Sequence, residues 1–395
     1  MPTTRFEPGA GAFGPPEGQR PASAIGRLRE RFDTWRLSKI ASEDFQRWAA
    51  RFPLTRGFAR RDAARVYDLV SGFVYSQVLL ALVELEVFRH LRDGPQRADT
   101  LALTCGVSAE RMRALCQAAA SVGLLARGAT DTYRLGRLGA AVLGVPGLED
   151  MIRHHKVFYR DLADPVGLLR GETDPELSRF WSYVRGGEGV DAETARTYSA
   201  LMESSQHLVA EETLDAVDFG RFRNLADIGG GTGMFLEHVA ARHSGLGLSL
   251  FDLPGVVATA ERRLGEAGLA GRIRLCAGNF RTGTLPGGCD AMSLIRVLYD
   301  HDDPTVAALL AQIHTALPPG GQIVISEPMS GGDRPCRAGD AYFGFYTMAM
   351  TTGRPRSAAR HAELLRQAGF ADPVERPTRR PFLTSVVVAR KPGPA

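Results

Sequence analysis

The sequence predicts an α/β protein: an open, mostly parallel sheet packed between helices, preceded by a smaller helical domain. Three observations carry that expectation. After about Tyr198, strand-like apolar runs alternate with helix-like stretches, the pattern of a parallel α/β sheet. A glycine-rich turn, "DIGGGTG" (Asp227 to Gly233), stands between the first such strand and the helix that follows it. Upstream, Ala64 to Val145 reads as helices, then a helix–turn–helix and a short hairpin, a winged-helix pattern.

At 395 residues the chain has room for about two domains. We expect a tail and basic extension over 1–62, a winged-helix domain over 63–195 and the sheet domain over 196–395. The formal charge of +4 is too weak to argue for a nucleic-acid partner. Arginine supplies nearly all of the basic charge, since Lys39, Lys156 and Lys391 are the only lysines. The five cysteines are scattered without a CxxC pair, which fits a reduced, cytoplasmic compartment better than a disulfide frame or a zinc site. No N-terminal apolar core with a cleavage site is present, so no secretion signal is expected. The most apolar stretch, Val70 to Phe88, is interrupted by Gln77, Glu84 and Glu86. A membrane-spanning helix needs about 20 mostly apolar residues, so this one is expected to be a buried helix of a soluble domain.

Met1 to Ala24 is rich in Gly and Pro without apolar periodicity and is expected to be disordered. Gly26 to Arg61 carries ten Arg/Lys against four Asp/Glu. Leu28, Phe32 and Trp35 fall at i, i+4, i+7, on one helical face. Such a basic amphipathic helix either lies on an anionic membrane surface or packs its apolar face on protein. In "LTCGVSAERMRALCQAAASVGLL" two helices flank a glycine turn, with Ser108 as N-cap, and "ARGATDTYRLG" supplies the wing. A DNA-reading helix should offer basic and amide side chains; this one offers only Arg111, Arg113 and Gln117 among alanines.

In the sheet domain "NLADIGGG" is a strand running into the glycine turn and "GMFLEHVAARH" a helix. "LGLSLFDLPG" is a second strand ending in Asp252, and "IRLCAGNF" and "DAMSLIRVLYD" are further strands. Asp303 is the expected N-cap of the next helix, with Pro304 at its first position. "GQIVISEP" is the next strand and "FLTSVVVAR" the last, closing the sheet.

The glycine turn admits three readings. A phosphate-binding Walker loop would need a lysine that is absent, and the dinucleotide pattern G-x-G-x-x-G fails at Met234. G-x-G-x-G remains, formed by Gly229, Gly231 and Gly233 behind Asp227, with Asp252 ending the next strand. This resembles the S-adenosylmethionine loop of class I methyltransferases. Close approach of a ligand to main chain requires residues without side chains, and an acid at the next strand end suits two ribose hydroxyls.

With "FDLP", "GNF", "RVLYDHDD", "ISEP" and "TTGRPRSAARHAELLRQAGF" following in order, the chain resembles the plant-type small-molecule O-methyltransferase superfamily from about Ala64 to Lys391. The resemblance implies a class I methyltransferase (Rossmann-like) sheet with an N-terminal winged-helix dimerisation domain, S-adenosylmethionine as cofactor, and a homodimer. It implies cofactor contacts from Asp227, Gly229, Gly231, Gly233, Asp252, Leu253, Phe280 and Arg296. In "ALMESS" it places Met202 and Ser205 near the sulfonium. Asn279 stands where the family has an aspartate facing the adenine amine, and its amide oxygen can accept the same bond.

The family's usual string is "xHDWxD", whose histidine takes a proton from a phenolic hydroxyl. Here Tyr299 occupies that place and His301 the tryptophan's. Of the two glutamates that orient the histidine, Glu327 matches one, and the other falls on Pro355. A neutral phenol with a pKa of about 10 is a poor base, so Tyr299 either fixes an aliphatic hydroxyl through one hydrogen bond or packs in the pocket without chemistry, and Glu327 stands beside it as the second catalytic candidate. The loss resembles two branches of the family, one methylating the C-1 tertiary hydroxyl of acyclic carotenoids and one a bacteriochlorophyllide carbon. The Arg-rich extension and "LYDHDD" are closer to the carotenoid branch. That resemblance implies a lipophilic substrate and peripheral docking at a photosynthetic inner membrane, with no span and no nucleic acid. His154, His155, Phe158, Trp181, Tyr342, Phe343 and Met348 are candidates for the substrate wall. No acidic cluster is placed to hold a metal ion beside the cofactor.

Overall fold

The computed structural model describes residues 24–180 and 206–393. The expected disordered tail before residue 24 lies outside the described residues, as do Trp181, Met202 and Ser205. The chain divides into two compact units, one up to Gln77 and one from Val78.

The first unit holds helices α1 (Ala24–Ile40) and α2 (Glu43–Arg51) and the start of α3 (Arg56–Glu84). Pro53 stops α2, since the residue before a proline is pushed out of the helical region and Phe52 has ψ 128°. Leu28, Phe32 and Trp35 share one face of α1 and are each more than half exposed. On α2 the Trp48 ring stacks on Phe52 at 4.9 Å. The expectation that Val70 to Phe88 forms one buried helix is corrected here. Leu69, Val70 and Phe73 on α3 are exposed, while Leu80, Leu82 and Val83 are buried. The left-handed Glu86, at φ 53°, then ends the run before α4 (Val87–His90). By length and composition α3 could cross a membrane, and only 17% of its most apolar window is buried within the chain.

The second unit opens with the winged helix. After α4 come β1 (Gln96–Arg97), α5 (Ala98–Cys105), α6 (Ala109–Ser121), β2 (Leu125–Arg127), β3 (Thr132–Leu135) and α7 (Arg137–Gly144). Gly106, at φ 65°, ends α5, and the Ser108 hydroxyl accepts the Arg111 N–H to start α6. The wing gains β1 as a third strand, in the antiparallel order β1-β3-β2. Arg113 pairs with Asp99 and Asp131, and Gln117 accepts the Tyr133 hydroxyl at 3.4 Å. Two of the three candidate DNA-facing side chains are thus engaged within the domain. Helices α8 (Leu148–Asp161), α9 (Pro165–Arg170) and α10 (Leu177–Phe180) follow, and α11 runs through residues 206–216.

The remaining elements build the sheet: β4 (Asn224–Ile228), α12 (Met234–Arg242), β5 (Gly247–Asp252), α13 (Pro254–Glu266), β6 (Ile273–Ala277), β7 (Ala291–Ile295), α14 (Asp303–Ala316) and β8 (Gln322–Glu327). A π-helix (Arg337–Phe343), α15 (Gly344–Ala349), α16 (Ala358–Gln367), β9 (Ala371–Arg376) and β10 (Ser385–Arg390) complete it. The seven strands run β6-β5-β4-β7-β8-β10-β9. The first five are parallel, and β10 is antiparallel to both neighbours. The expected α/β class holds, with two corrections. "FLTSVVVAR" yields β10, which is an inner strand rather than the closing one. The edge is β9, whose Pro373 and charged residues mask it as a strand and suit an edge that must not pair further. The second correction concerns α14, which is capped by Asp302, whose Oδ1 accepts the Thr305 N–H at 3.0 Å. Asp303 is instead drawn into ion pairs.

Leu236, Leu250 and Leu264 lie in the core on one face of the sheet, and Leu309, Ile325 and Leu365 in the core on the other. The chain moves outward from β4 through β5 to β6, then returns to lay β7 on the opposite side of β4. The carboxyl ends of β4 and β7 therefore flank the topological switch point, where open α/β sheets form their ligand crevice.

Candidate active site

The β4 end of the crevice carries the glycine turn. Gly229 and Gly231 are left-handed, at φ 72° and 57°. A Cβ on Gly229 would stand 2.8 Å from Val297 Cγ2, whereas one on Gly231 would point into open space. Gly233, at φ 83°, starts α12. Asp227 is buried; its Oδ1 accepts the Ser293 hydroxyl at 2.6 Å, and its Oδ2 has no partner among the described residues. Burial pushes the carboxyl up to about 7 against the Ser293 hydrogen bond. A buried acceptor without a partner is costly unless a ligand donor meets it.

Asp252 ends β5 and accepts the Gly231 N–H at 2.8 Å and the Leu253 N–H at 2.7 Å, which ties the turn to the start of α13. Burial raises its pKa and the two amides oppose the rise. Asn279 Oδ1 accepts the Arg281 N–H at 2.8 Å, leaving one lone pair of that oxygen and the amide NH2. The Phe280 ring lies edge-on to His301 at 5.3 Å. Asp227, Asp252, the three glycines, Leu253, Asn279 and Phe280 thus gather at the ends of β4, β5 and β6. The orphaned Asp227 oxygen, the open side of Gly231 and the two carboxylates fit a ligand bearing an ammonium and a ribose.

Across the switch point, Arg296 is left-handed at φ 59°, a costly backbone for a side-chain-bearing residue and one found at functional turns. Its Nη2 donates to the Tyr299 hydroxyl at 3.4 Å. Tyr299 is 1% exposed, and its ring meets Phe343 at 6.1 Å. Burial raises the phenol further above its ordinary value. Glu327 is turned onto the backbone rather than onto the phenol. Its Oε2 accepts the N–H groups of Leu298 and Tyr299 at 2.9 and 3.2 Å, and its Oε1 lies 3.0 Å from His361 Nε2. His301 Nδ1 faces Arg281 Nη2 at 3.1 Å. Burial, then that guanidinium, bring His301 down to about 4, so it is neutral at pH 7.

Three residues that hold this turn were missed in the sequence. Arg356, 2% exposed, donates to the carbonyls of Leu298 and His301, both at 2.8 Å, and to Asp303. His361 backs Glu327 from α16. Gly353, at φ 73°, lies against the turn so closely that a Cβ would stand 2.1 Å from the Tyr299 carbonyl oxygen. All three lie in or beside "TTGRPRSAARH", where the Pro355 position draws attention and its neighbours look like ordinary surface residues.

Of the expected substrate wall, His155, Phe158, Tyr342 and Phe343 come together. Phe343 lies 4.8 Å from Tyr342, and Phe158 lies 6.2 Å from it. Leu168, Leu177, Tyr346 and Met350 complete this apolar cluster. His154 bonds Tyr346 at 2.9 Å alongside. Met348 stands apart, in a separate cavity of about 540 Å³ with His301 and Thr347.

Residues 159–371 match the family described as O-methyltransferase domain, and residues 67–144 match the O-methyltransferase dimerisation domain. The chain is 50% identical to the demethylspheroidene O-methyltransferase of Cereibacter sphaeroides over 90% of its own length and 94% of the relative's. It is 45% identical to the Rhodobacter capsulatus protein of the same name over 90% and 88%. Human N-acetylserotonin methyltransferase in complex with S-adenosylmethionine superposes with a TM-score of 0.68 at 26% identity, covering 84% of this chain and 98% of that one.

Proposed function

The chain belongs to the O-methyltransferase family, and on that premise we propose that it methylates the C-1 tertiary hydroxyl of an acyclic carotenoid, as in demethylspheroidene. Its methyl donor is S-adenosylmethionine, which supplies an electrophilic methyl group on a sulfonium. Asp227 would hold the donor's ammonium, Asp252 its ribose, and Asn279 and Phe280 its adenine, with the glycine turn lying against its amino-acid end. Arg296 would steady it from the β7 side.

The observation that carries the acceptor class is the sealed Tyr299 in the place of a base. A tertiary alcohol is too weak an acid to be ionised in advance, so its reaction depends on placement. Holding two reactants in line supplies roughly 7–11 kcal/mol. Glu327 is a positioning residue here, fixing the backbone on which Tyr299 and Arg296 sit. The apolar cluster of Phe158, Tyr342, Phe343 and Met350 suits a polyene end better than a polar acceptor.

The dimerisation domain supports a homodimer, in which a second copy covers the exposed Leu69, Val70 and Phe73 of α3. The basic face and exposed Leu28, Phe32, Trp35 and Trp48 of α1 and α2 suit peripheral docking on an anionic bilayer, where such a substrate resides. We place the protein on the cytoplasmic side of that membrane.

The test is methyl transfer from labelled S-adenosylmethionine, with a detergent-solubilised 1-hydroxy acyclic carotenoid offered beside a bacteriochlorophyllide and a simple phenol. A labelled methyl ether of the carotenoid is expected. Label in another acceptor alone would replace the substrate and keep the reaction.

A further inference from the structure

Methyl transfer to a neutral hydroxyl leaves a proton to be disposed of, and the groups around Tyr299 are poorly suited to take it. Tyr299 is sealed and bonded to a cation. Glu327 is committed to two backbone amides and faces His361. His301 is 6% exposed and held by Arg281. Asp300 is 4% exposed, and burial pushes its carboxyl well above the usual carboxylate range.

One pair on the opposite wall differs. His155 Nε2 lies 2.7 Å from the Tyr342 hydroxyl, linking α8 to the π-helix. Both residues are half-buried, so the pair borders the apolar cluster without being sealed inside it. Tyr342 packs on Phe343, which packs on Tyr299, so the pair stands one ring away from the reaction turn. The neighbouring His154–Tyr346 pair bridges α8 to α15, but Tyr346 is 6% exposed.

Resting on the reading of hydroxyl methylation above, we propose that Tyr342 and His155 form the proton relay of the reaction. The acceptor oxygen forms a bond to the methyl carbon, and the carbon–sulfur bond breaks with its electron pair left on sulfur. The hydroxyl proton passes to Tyr342 Oη as the phenolic proton passes to His155 Nε2, which requires the tautomer protonated at Nδ1. The positive charge lost from the sulfonium ends on the imidazolium and leaves to solvent.

The surroundings agree with that direction. Burial holds His155 below its ordinary pKa, so the ring is neutral and ready to accept at neutral pH. Burial raises the Tyr342 phenol, while the Arg296 charge opposes the rise and favours transient phenolate character. Among the described residues, the titratable groups facing His155 are His154 and Tyr159 on its own helix and Tyr342 on the π-helix, with Arg296 acting on the last from the turn after β7.

The experiment is kcat and KM of the full chain with the 1-hydroxy carotenoid between pH 5 and 9, for wild type, His155→Gln, Tyr342→Phe and the double variant. Glutamine keeps a hydrogen bond to Tyr342 but takes no proton. Each single variant is expected to lose about 10²-fold in kcat at pH 8 with KM unchanged. The double variant should lose no more, because both act in one chain. Wild-type kcat should fall at acid pH, below the ordinary imidazole range because burial lowers His155, and that fall should vanish in His155→Gln. A His155→Gln protein with wild-type kcat, or one that is slower or melts early yet keeps the acid fall, would overturn the relay and leave His155 a packing residue. Wild type that binds S-adenosylmethionine but forms no methyl ether would overturn the functional reading itself, and the relay with it.

Discussion

Tyr299 and Asp227 show how far burial alone can set the chemistry of one side chain. The Tyr299 hydroxyl has a long contact to Arg296 at 3.4 Å and almost no access to solvent. Tyr299→Phe is therefore expected to cost less than about tenfold in kcat, since general acid–base roles are worth about 10²–10⁴-fold. A larger loss in steady-state kinetics would make the phenol an acid–base group. Asp227 makes a stability prediction. Its folded pKa of about 7 lies above the unfolded value, so the folded state binds the proton more tightly. The stability this contributes is fully present below about pH 4 and is lost as pH rises through about 7. In thermal melts without cofactor, Asp227→Asn should match wild type in acid and become the more stable protein as pH passes through that value. Equal melting temperatures at pH 8 would contradict it.

Among the elements, the turn after β7 is held by groups scattered along the chain. Glu327 from β8 takes its amides, Arg356 takes its carbonyls, and Gly353 lets a second backbone lie against it. Asp303 feels both sides of this arrangement. Burial raises its carboxyl, but the guanidinium groups of Arg356 and Arg354 more than offset that and hold it at about 2. Gly353→Ala combines a left-handed φ with a Cβ 2.1 Å from the Tyr299 carbonyl, so the turn must move. Displacement of a reaction site by about 1 Å can cost 10²-fold, and a kcat loss of that order is expected with S-adenosylmethionine affinity little changed. Calorimetry beside kinetics would read both, and unchanged kcat would show that the turn does not position the acceptor. None of these contacts was visible beforehand. Arg356 and His361 sit in a polar stretch that reads as helix start, and long-range partners leave no local pattern.

For the molecule as a whole, the exposed apolar surface is unevenly distributed. On α3 it falls within the dimerisation domain, while on α1 and α2 it is interleaved with arginine. Replacing Leu28, Phe32 and Trp35 together by Ser is expected to abolish flotation with anionic liposomes and to leave turnover of detergent-presented acceptor unchanged. Binding by wild type should weaken at high salt, as electrostatic attraction to anionic headgroups is screened. A triple variant that still floats would take these three side chains out of the docking surface, and wild type that does not float would remove the bilayer from the account.

The α/β class, the glycine turn and the Asp252 strand end were all legible in the sequence, because each is written in residues adjacent along the chain. Short apolar runs, glycines at left-handed turns and an acid at a strand end act locally. What only the tertiary structure decided are the features made by distant residues. They include β10 between β8 and β9, Glu327 turned to backbone amides, Arg356 under the turn, and His155 against Tyr342. These depend on which elements the sheet order brings together, and a hydrogen bond of about 3 Å between residues far apart in the chain is set by packing rather than by spacing.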